Sequence, residues 1–256
     1  MIQDKPPGNG GFFLTNVEAY LVSKYEASKG KDSTMSFGPI MRFRVGDLFI
    51  ELAPLSKEAM AEFVNPGMQQ FKVRQYTGSH IAPVLEDEYA HFDKVRADKT
   101  SLVWGIWLIE DGKRTLIGIS SLVDIKIDHI HQATSGSLIF RKEYWGKGIA
   151  SAAHKARTWY AFQHMGLHRI MSAVIQGNVG SLKALTRSGY TKVYTERNEK
   201  YIDGQLRHLD HLECLNPNEP FWAQWWHGDR PTKANLAARA LTCETLEWAE
   251  QNVELP

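Results

Sequence analysis

The stretch Tyr144-Trp145-Gly146-Lys147-Gly148-Ile149-Ala150-Ser151 constrains this chain more than any other. It follows a strand-like run, Ser137-Leu138-Ile139-Phe140, and opens a helix-like run that ends at Gly166. Two glycines two apart at a strand-to-helix junction let the backbone approach a ligand closely. The amides there point outward at a helix N-terminus, which favours an anion. The junction therefore reads as a grip on a phosphate-bearing molecule. It is not a P-loop, because no Gly-Lys-Ser/Thr follows. It is not a dinucleotide fingerprint, because the third glycine is missing and the preceding strand is not the first of a βαβ pair.

Composition removes several classes of function. Lys+Arg 30 against Asp+Glu 29 leaves a net charge of +1, so nothing general favours nucleic acid or an anionic membrane as partner. The two cysteines, Cys214 and Cys243, make no disulfide framework and suit a reducing cytoplasm. The first residues lack the basic and apolar regions of a signal peptide. No apolar run approaches the roughly 18 residues that span a bilayer.

Along the chain, residues 1–10 read as a flexible leader, with a short helix over 17–27. Phe43, Val45, Leu48, Ile50 and Leu52 suggest paired strands. Ser56 caps a helix to about residue 63, and a second helix covers 84–97. Strands follow over 102–109, 115–127 and 132–140, the first two joined at Asp111-Gly112. After Gly148, Ile149, Ala152, Ala153, Ala156, Trp159 and Tyr160 recur at helical spacing. Residues 169–174 form a strand, Asn178 caps a helix closed by Gly189, and strands at 193–196 and 206–215 flank Asp203-Gly204. Past Pro217 lie four of the eight tryptophans, Trp222, Trp225, Trp226 and Trp248, and a helix from Pro231 to about residue 253.

The segment Trp145-Gly146-Lys147-Gly148-Ile149-Ala150 resembles the acetyl-CoA loop of the GCN5-related N-acetyltransferases (GNAT), and most closely the Rim-type branch that acetylates ribosomal-protein N-termini. Gly166-Leu167-His168-Arg169-Ile170, Asn178-Val179-Gly180-Ser181 and Ser188-Gly189-Tyr190 follow in that branch's order and spacing. Trp145 stands where the family commonly has Arg or Gln, and Lys142 where the branch often has Pro. The resemblance covers residues 41–215. It implies an α/β (α+β) fold: a central, mixed, mostly antiparallel twisted sheet flanked by helices. Residues 1–40 and 216–256 are then N- and C-terminal extensions, the latter Trp-rich and helical.

The same resemblance implies acetyl-CoA as co-substrate and a primary amine as acceptor. Leu138, Ile139 and Phe140 would hold the pantetheine arm like an added strand, with one amide on the oxyanion. Trp145, Gly146, Lys147, Gly148, Ile149, Ala150 and Ser151 would hold the pyrophosphate. Asn178 would contact the arm, and Ser181 would sit near the sulfur as general acid. Without the resemblance, Leu138-Ile139-Phe140 is a buried strand, Asn178 an N-cap and Ser181 a surface residue. The general base is not identified; Glu143, Glu51 and Asp124 are unranked. His129, His131, His208 and His211 tempt a metal reading. His208 and His211 face opposite sides of a strand, and His129 and His131 lack a third ligand, so no metal is expected. The tryptophans of the last segment read as packing for an appended helix, on the body or on a second copy in a homodimer. Neither cysteine is placed for a covalent intermediate, which leaves direct attack. A non-catalytic acyl-CoA-binding module, and an enzyme using another acyl-CoA, are the alternatives.

Overall fold

The computed structural model describes residues 36–78, 81–128 and 130–256. The helix read over 17–27 lies outside these residues. Among them, eight strands form one sheet: β1 (Met41–Val45), β2 (Leu48–Ala53), β3 (Leu102–Glu110), β4 (Lys113–Lys126), β5 (Gln132–Ile139), β6 (Arg169–Ile175), β7 (Thr191–Ile202) and β8 (Gln205–Leu215). Their order is β1-β2-β3-β4-β5-β6-β8-β7. Every neighbouring pair is antiparallel except β5 and β6.

Turn chemistry explains the antiparallel part. Asp111-Gly112 and Asp203-Gly204 hold φ of 49° and 74°, and of 53° and 73°. Two left-handed residues in succession match the twist of the strands they join. A parallel pair needs a crossover instead. Helix α4 (Ile149–Trp159) supplies it, continuing as a π-helical turn over Tyr160–His164. The earlier helices are α1 (Met60–Glu62, continuing through Phe63–Met68), α2 (Phe71–Arg74) and α3 (Leu85–Ala97); α5 (Val179–Arg187), α6 (Glu219–Gln224) and α7 (Lys233–Asn252) come later.

The sheet is covered on both faces. On one, Ile149, Ala152, Ala153, Ala156 and Trp159 of α4 join Ile106, Leu122, Ala133 and Ile170 of the strands in the larger core. The alanines let the helix lie close to the sheet. On the other, Met60, Phe63, Val73 and Phe92 cover Ala53, Trp107, Leu116 and Phe140.

The last segment packs into this body. Thr242, Thr245, Leu246 and Ala249 of α7 are buried, Trp159 donates its indole N–H to Glu250 at 2.8 Å, and Arg42 and Glu254 exchange backbone bonds at 2.9 and 2.8 Å. The change at residue 216 is therefore one of composition, while the core is shared. Trp222 is buried beside Trp226, with the Arg239 guanidinium 4.8 Å from its ring.

Several boundaries differ from the sequence reading: the helix expected from Ser56 to residue 63 runs from Met60 to Met68, and β4 begins at Lys113 and not at residue 115. Two further differences have a visible cause. Helix α7 begins at Lys233 and not at Pro231, because Thr232 caps it reciprocally with Asn235, at 3.2 Å each way. Strand β7 runs to Ile202, well past residue 196. It is an exposed edge strand with irregular register near Lys192 and Glu196, so no alternation of burial marks its extent.

Candidate functional site

The site is built where β5 and β6 part. Their pairing covers only Gln132–Arg169, Ala133–Ile170 and Thr134–Met171. Beyond Thr134 the strands diverge, with the Ser172 hydroxyl reaching back to the Ser135 carbonyl at 3.4 Å. One edge of β5 is thereby left without a neighbouring strand.

Ladder alternation identifies which backbone groups face that edge. The Phe140 N–H donates to the Ile117 carbonyl at 3.0 Å. In the register Ile119–Leu138 and Ser121–Gly136, these residues also spend their groups on β4. Residues 135, 137 and 139 turn theirs the other way. The Ser135–Ser172 contact agrees, as does the Ile139 carbonyl, which accepts the Trp145 indole N–H at 2.7 Å. The N–H and C=O of Ser137 and the N–H of Ile139 therefore line the opening. This corrects the reading of Leu138-Ile139-Phe140. Leu138 spends its backbone groups on β4 and Phe140 its N–H, and the Phe140 ring is fully buried, edge-on to Phe63 at 5.6 Å.

At the C-terminal end of β5 the chain turns through Lys142–Tyr144 into the glycine loop. Gly146 and Gly148 have φ of 74° and 84°, and Gly148 is the N-cap of α4. Glycine is needed at both because other residues rarely adopt such angles. The first intrahelical bond runs from Ala152 N to Gly148 O at 3.0 Å. The amides of Ile149, Ala150 and Ser151 precede it and have no helical acceptor. Amides so placed can take an anion. The Ile149 side chain itself is core, at 1 % exposure. Trp145 ties the loop to the strand end, and the Lys147 ammonium lies 5.1 Å from the Tyr144 ring.

Across the opening stands the N-terminus of α5. The Asn178 side chain accepts the Ser181 N–H at 3.2 Å and caps the helix. Ser181 is half-buried. Beside it, the Tyr76 hydroxyl approaches Gly177, and Gln75 donates to Asp203 in the β7–β8 turn. The segment after α2 thus bridges the β6–α5 loop and that turn.

The carboxylates considered as bases separate clearly. Both oxygens of Glu51 are taken, by Arg42 at 2.8 Å and Arg114 at 2.7 Å. Glu143 and Asp124 are exposed, with Arg141 at 3.9 Å and Lys126 at 3.2 Å. Cys214 is fully buried, and burial pushes its thiol up to about 12. Cys243 sits half-buried on α7, its thiol also raised by burial. Among the histidines, His208 accepts from the Asn198 amide at 3.0 Å, while His211 meets Glu196 at 2.9 Å and stacks on Tyr194.

An open strand edge, a glycine loop at its end and a helix N-terminus across from it form one arrangement, and the acetyltransferase (GNAT) domain model matches residues 50–191. The chain belongs to the GNAT acetyltransferase family.

Two curated GNAT relatives illustrate its range. The chain is 33% identical over 116 residues to the Probable N-acetyltransferase YjcK of Bacillus subtilis, covering 45% of this chain and 62% of YjcK. It is 29% identical over 97 residues to the spermidine N(1)-acetyltransferase of Escherichia coli, 38% of this chain and 50% of that protein. The matches thus span half to just under two thirds of these relatives. Among solved structures, Mycobacterium smegmatis RimJ in complex with CoA-disulfide superposes with a TM-score of 0.62 at 18% identity, over 80% of this chain and 94% of that one. The Vibrio cholerae spermidine N-acetyltransferase, in complex with CoA and spermine, gives 0.59 at 20%, over 65% and 95%. At these identities the structural likeness is one of fold.

Two features around this opening escaped the sequence reading. One is the Ser137 amide, recoverable only once the β4–β5 register is known. The other is Arg157, fully buried beneath β5. Its signal was visible: a charged residue four positions after Ala153 and four before Ala161, on the apolar side of α4.

Proposed function

We propose that the chain transfers the acetyl group of acetyl-CoA to a primary amine by direct attack. The observation that carries this reading is the opening between β5 and β6. An extended arm with amides of its own fits it as an added strand against Ser137 and Ile139. The loop amides at 149–151 suit a pyrophosphate at the outer end of that arm. An arm anchored there and running inward puts its thioester at the closed end, beside residues 135–137.

Acetyl-CoA supplies an activated acyl group; the chain's residues supply the rest. The Ser137 N–H stabilises negative charge developing on the carbonyl oxygen. The amine nitrogen bonds to the carbonyl carbon as the C–S bond breaks. Ser181 hands a proton to the departing sulfur and is reprotonated, through water, by the proton the amine gives up. An α-amine, with a pKa of about 8, is about a tenth neutral near pH 7, so it demands little from a base. A lysine-like amine, at about 10.4, is under about a thousandth neutral. Buried, un-ionised Cys214 supports direct attack over an acyl-cysteine route. The acceptor is a protein N-terminal α-amine or a small-molecule amine.

The test is thiol release from acetyl-CoA, and from succinyl-CoA in parallel, across polyamines, aminosugars and N-terminal peptides. Release with at least one amine is expected. Tight CoA binding without turnover on any amine would refute catalysis and leave a binding module.

A further inference from the structure

Arg157 is fully buried on α4, under the stretch of β5 where the strands part. Nη1 donates to the Gly136 carbonyl at 2.8 Å and to the Ser120 hydroxyl at 2.9 Å. Nη2 lies 2.6 Å from His154 Nδ1. Nε has no acceptor, and no carboxylate is within ion-pair distance among the described residues. Burying a cation without a counter-ion is costly.

Burial lowers the Arg157 pKa from its ordinary value, and the Tyr190 phenol, hydrogen-bonded to it, opposes that, so the charge is held by neutral partners alone. Burial holds His154 neutral, well below its ordinary range, with Arg157 adding to the effect. Burial raises the Tyr190 phenol and the Cys214 thiol, so both stay un-ionised. Tyr190 reaches the Ser135 hydroxyl at 3.4 Å, at the closed end of the opening.

The bond to Gly136 matters because of covalent geometry. The Gly136 carbonyl and the Ser137 N–H belong to one planar peptide unit. Its oxygen faces β4 and Arg157; its N–H faces the opening. A cation on the oxygen draws electron density from the nitrogen and makes that N–H a stronger donor. Cooperative strengthening in such chains is about 10–30% per bond. A carbonyl has two lone pairs, so Gly136 can serve both the ladder and Arg157.

We infer that Arg157 is a positioning residue for acyl transfer, polarising the Gly136–Ser137 peptide so that the Ser137 N–H holds the developing oxyanion. This rests on the proposed acetyl-CoA reading. At 0 % exposure Arg157 does not open onto the ligand, so it acts through the peptide and not by contact with the acyl chain.

The test uses the full-length protein and acetyl-CoA labelled with 13C at the carbonyl. Calorimetry comes first: failure to bind acetyl-CoA would sink the underlying reading, separately from this one. With binding established, difference infrared spectroscopy reads the bound thioester carbonyl. In the wild type the band is expected at lower frequency than in buffer. Arg157→Met should lose much of that shift while keeping acetyl-CoA affinity within about threefold. Arg157→Lys, which keeps the charge, should retain most of it. Turnover of Arg157→Met should fall by about tenfold, a fraction of what deleting an oxyanion donor costs. An equal shift in wild type and Arg157→Met would overturn the inference, as would a loss of affinity as large as the loss of turnover. If Arg157→Met does not fold, Arg157→Gln replaces it. An unshifted band in the wild type overturns the inference without any variant.

Discussion

Gly189 is where the C-terminal helix meets the turn after α5, and Gly189→Ala tests that junction. Gly189 holds φ of 90° after α5. A Cβ there would lie 2.0 Å from Thr242 Oγ1, 2.8 Å from Thr242 N and 2.9 Å from Thr242 Cα. Rotating the Thr242 side chain relieves the first contact and leaves the other two, which belong to the α7 backbone. The helix must therefore move. Left-handed strain on an L-residue costs about 1–2 kcal/mol. Overpacking a close-packed contact costs about 1–3 kcal/mol more. The expected loss is thus about 2–5 kcal/mol, from these two contributions together. Gly204→Ala is the control: φ is 73°, and nothing lies within 4 Å of its Cβ. It should show the strain alone, about 1–2 kcal/mol. Urea unfolding at neutral pH, with slopes compared to confirm two-state behaviour, measures both. Thr242→Ala in the Gly189→Ala background should restore only part of the loss. If Gly189→Ala cost no more than Gly204→Ala, α7 would not be seated on this glycine, and the shared core argued above would be mistaken. The effect should also reach the ligand site, because the next residue, Tyr190, contacts Ser135.

Gly148→Glu places a bulky anion at the N-cap of α4 and should weaken CoA binding at least tenfold, or about 1.4 kcal/mol, by calorimetry; unchanged affinity in a folded variant would remove the loop from the ligand site. Ser181→Ala should slow turnover more than it weakens CoA binding, read by comparing kcat with the dissociation constant; an equal loss in both would make it a binding residue, and no loss a surface one. Stability should fall with acid. Burial holds His168 down to about 4, with His131 adding to it, and holds His154 low as well. A depressed histidine means the unfolded chain binds the extra protons, so its contribution is full above about pH 6.5 and is lost as pH falls towards 4. The urea midpoint at pH 5 should lie below that at pH 7, and His168→Gln should flatten the difference; a rising midpoint would contradict the burial of these rings.

Local signals in this chain speak for themselves. Gly146 and Gly148 mark a strand-to-helix turn because few other residues tolerate φ of 74° and 84°. Asp111-Gly112 and Asp203-Gly204 name their hairpins, and Asn178 names its helix start. Each rests on backbone chemistry within a few residues, so the order of elements from β1 to β8 was legible without coordinates. Edges were less so: β7 is exposed along most of its length, and no burial pattern reports where it stops.

What the sequence determined by itself was that a glycine loop, a following helix and a capped second helix stand in GNAT order. Tertiary structure alone decided which backbone groups those elements leave open. That Ser137 and Ile139, and not Leu138, turn backbone groups towards the opening follows from register with β4, a pairing between strands that no local pattern encodes. Arg157 lies under that strand only because the crossover helix lays it there, and α7 joins the core through contacts some fifty residues distant in sequence, such as Thr242 on Gly189. Spacing along the chain sets local geometry; the partner a hydrogen bond or a buried charge meets is set by the packing of elements that are remote in sequence.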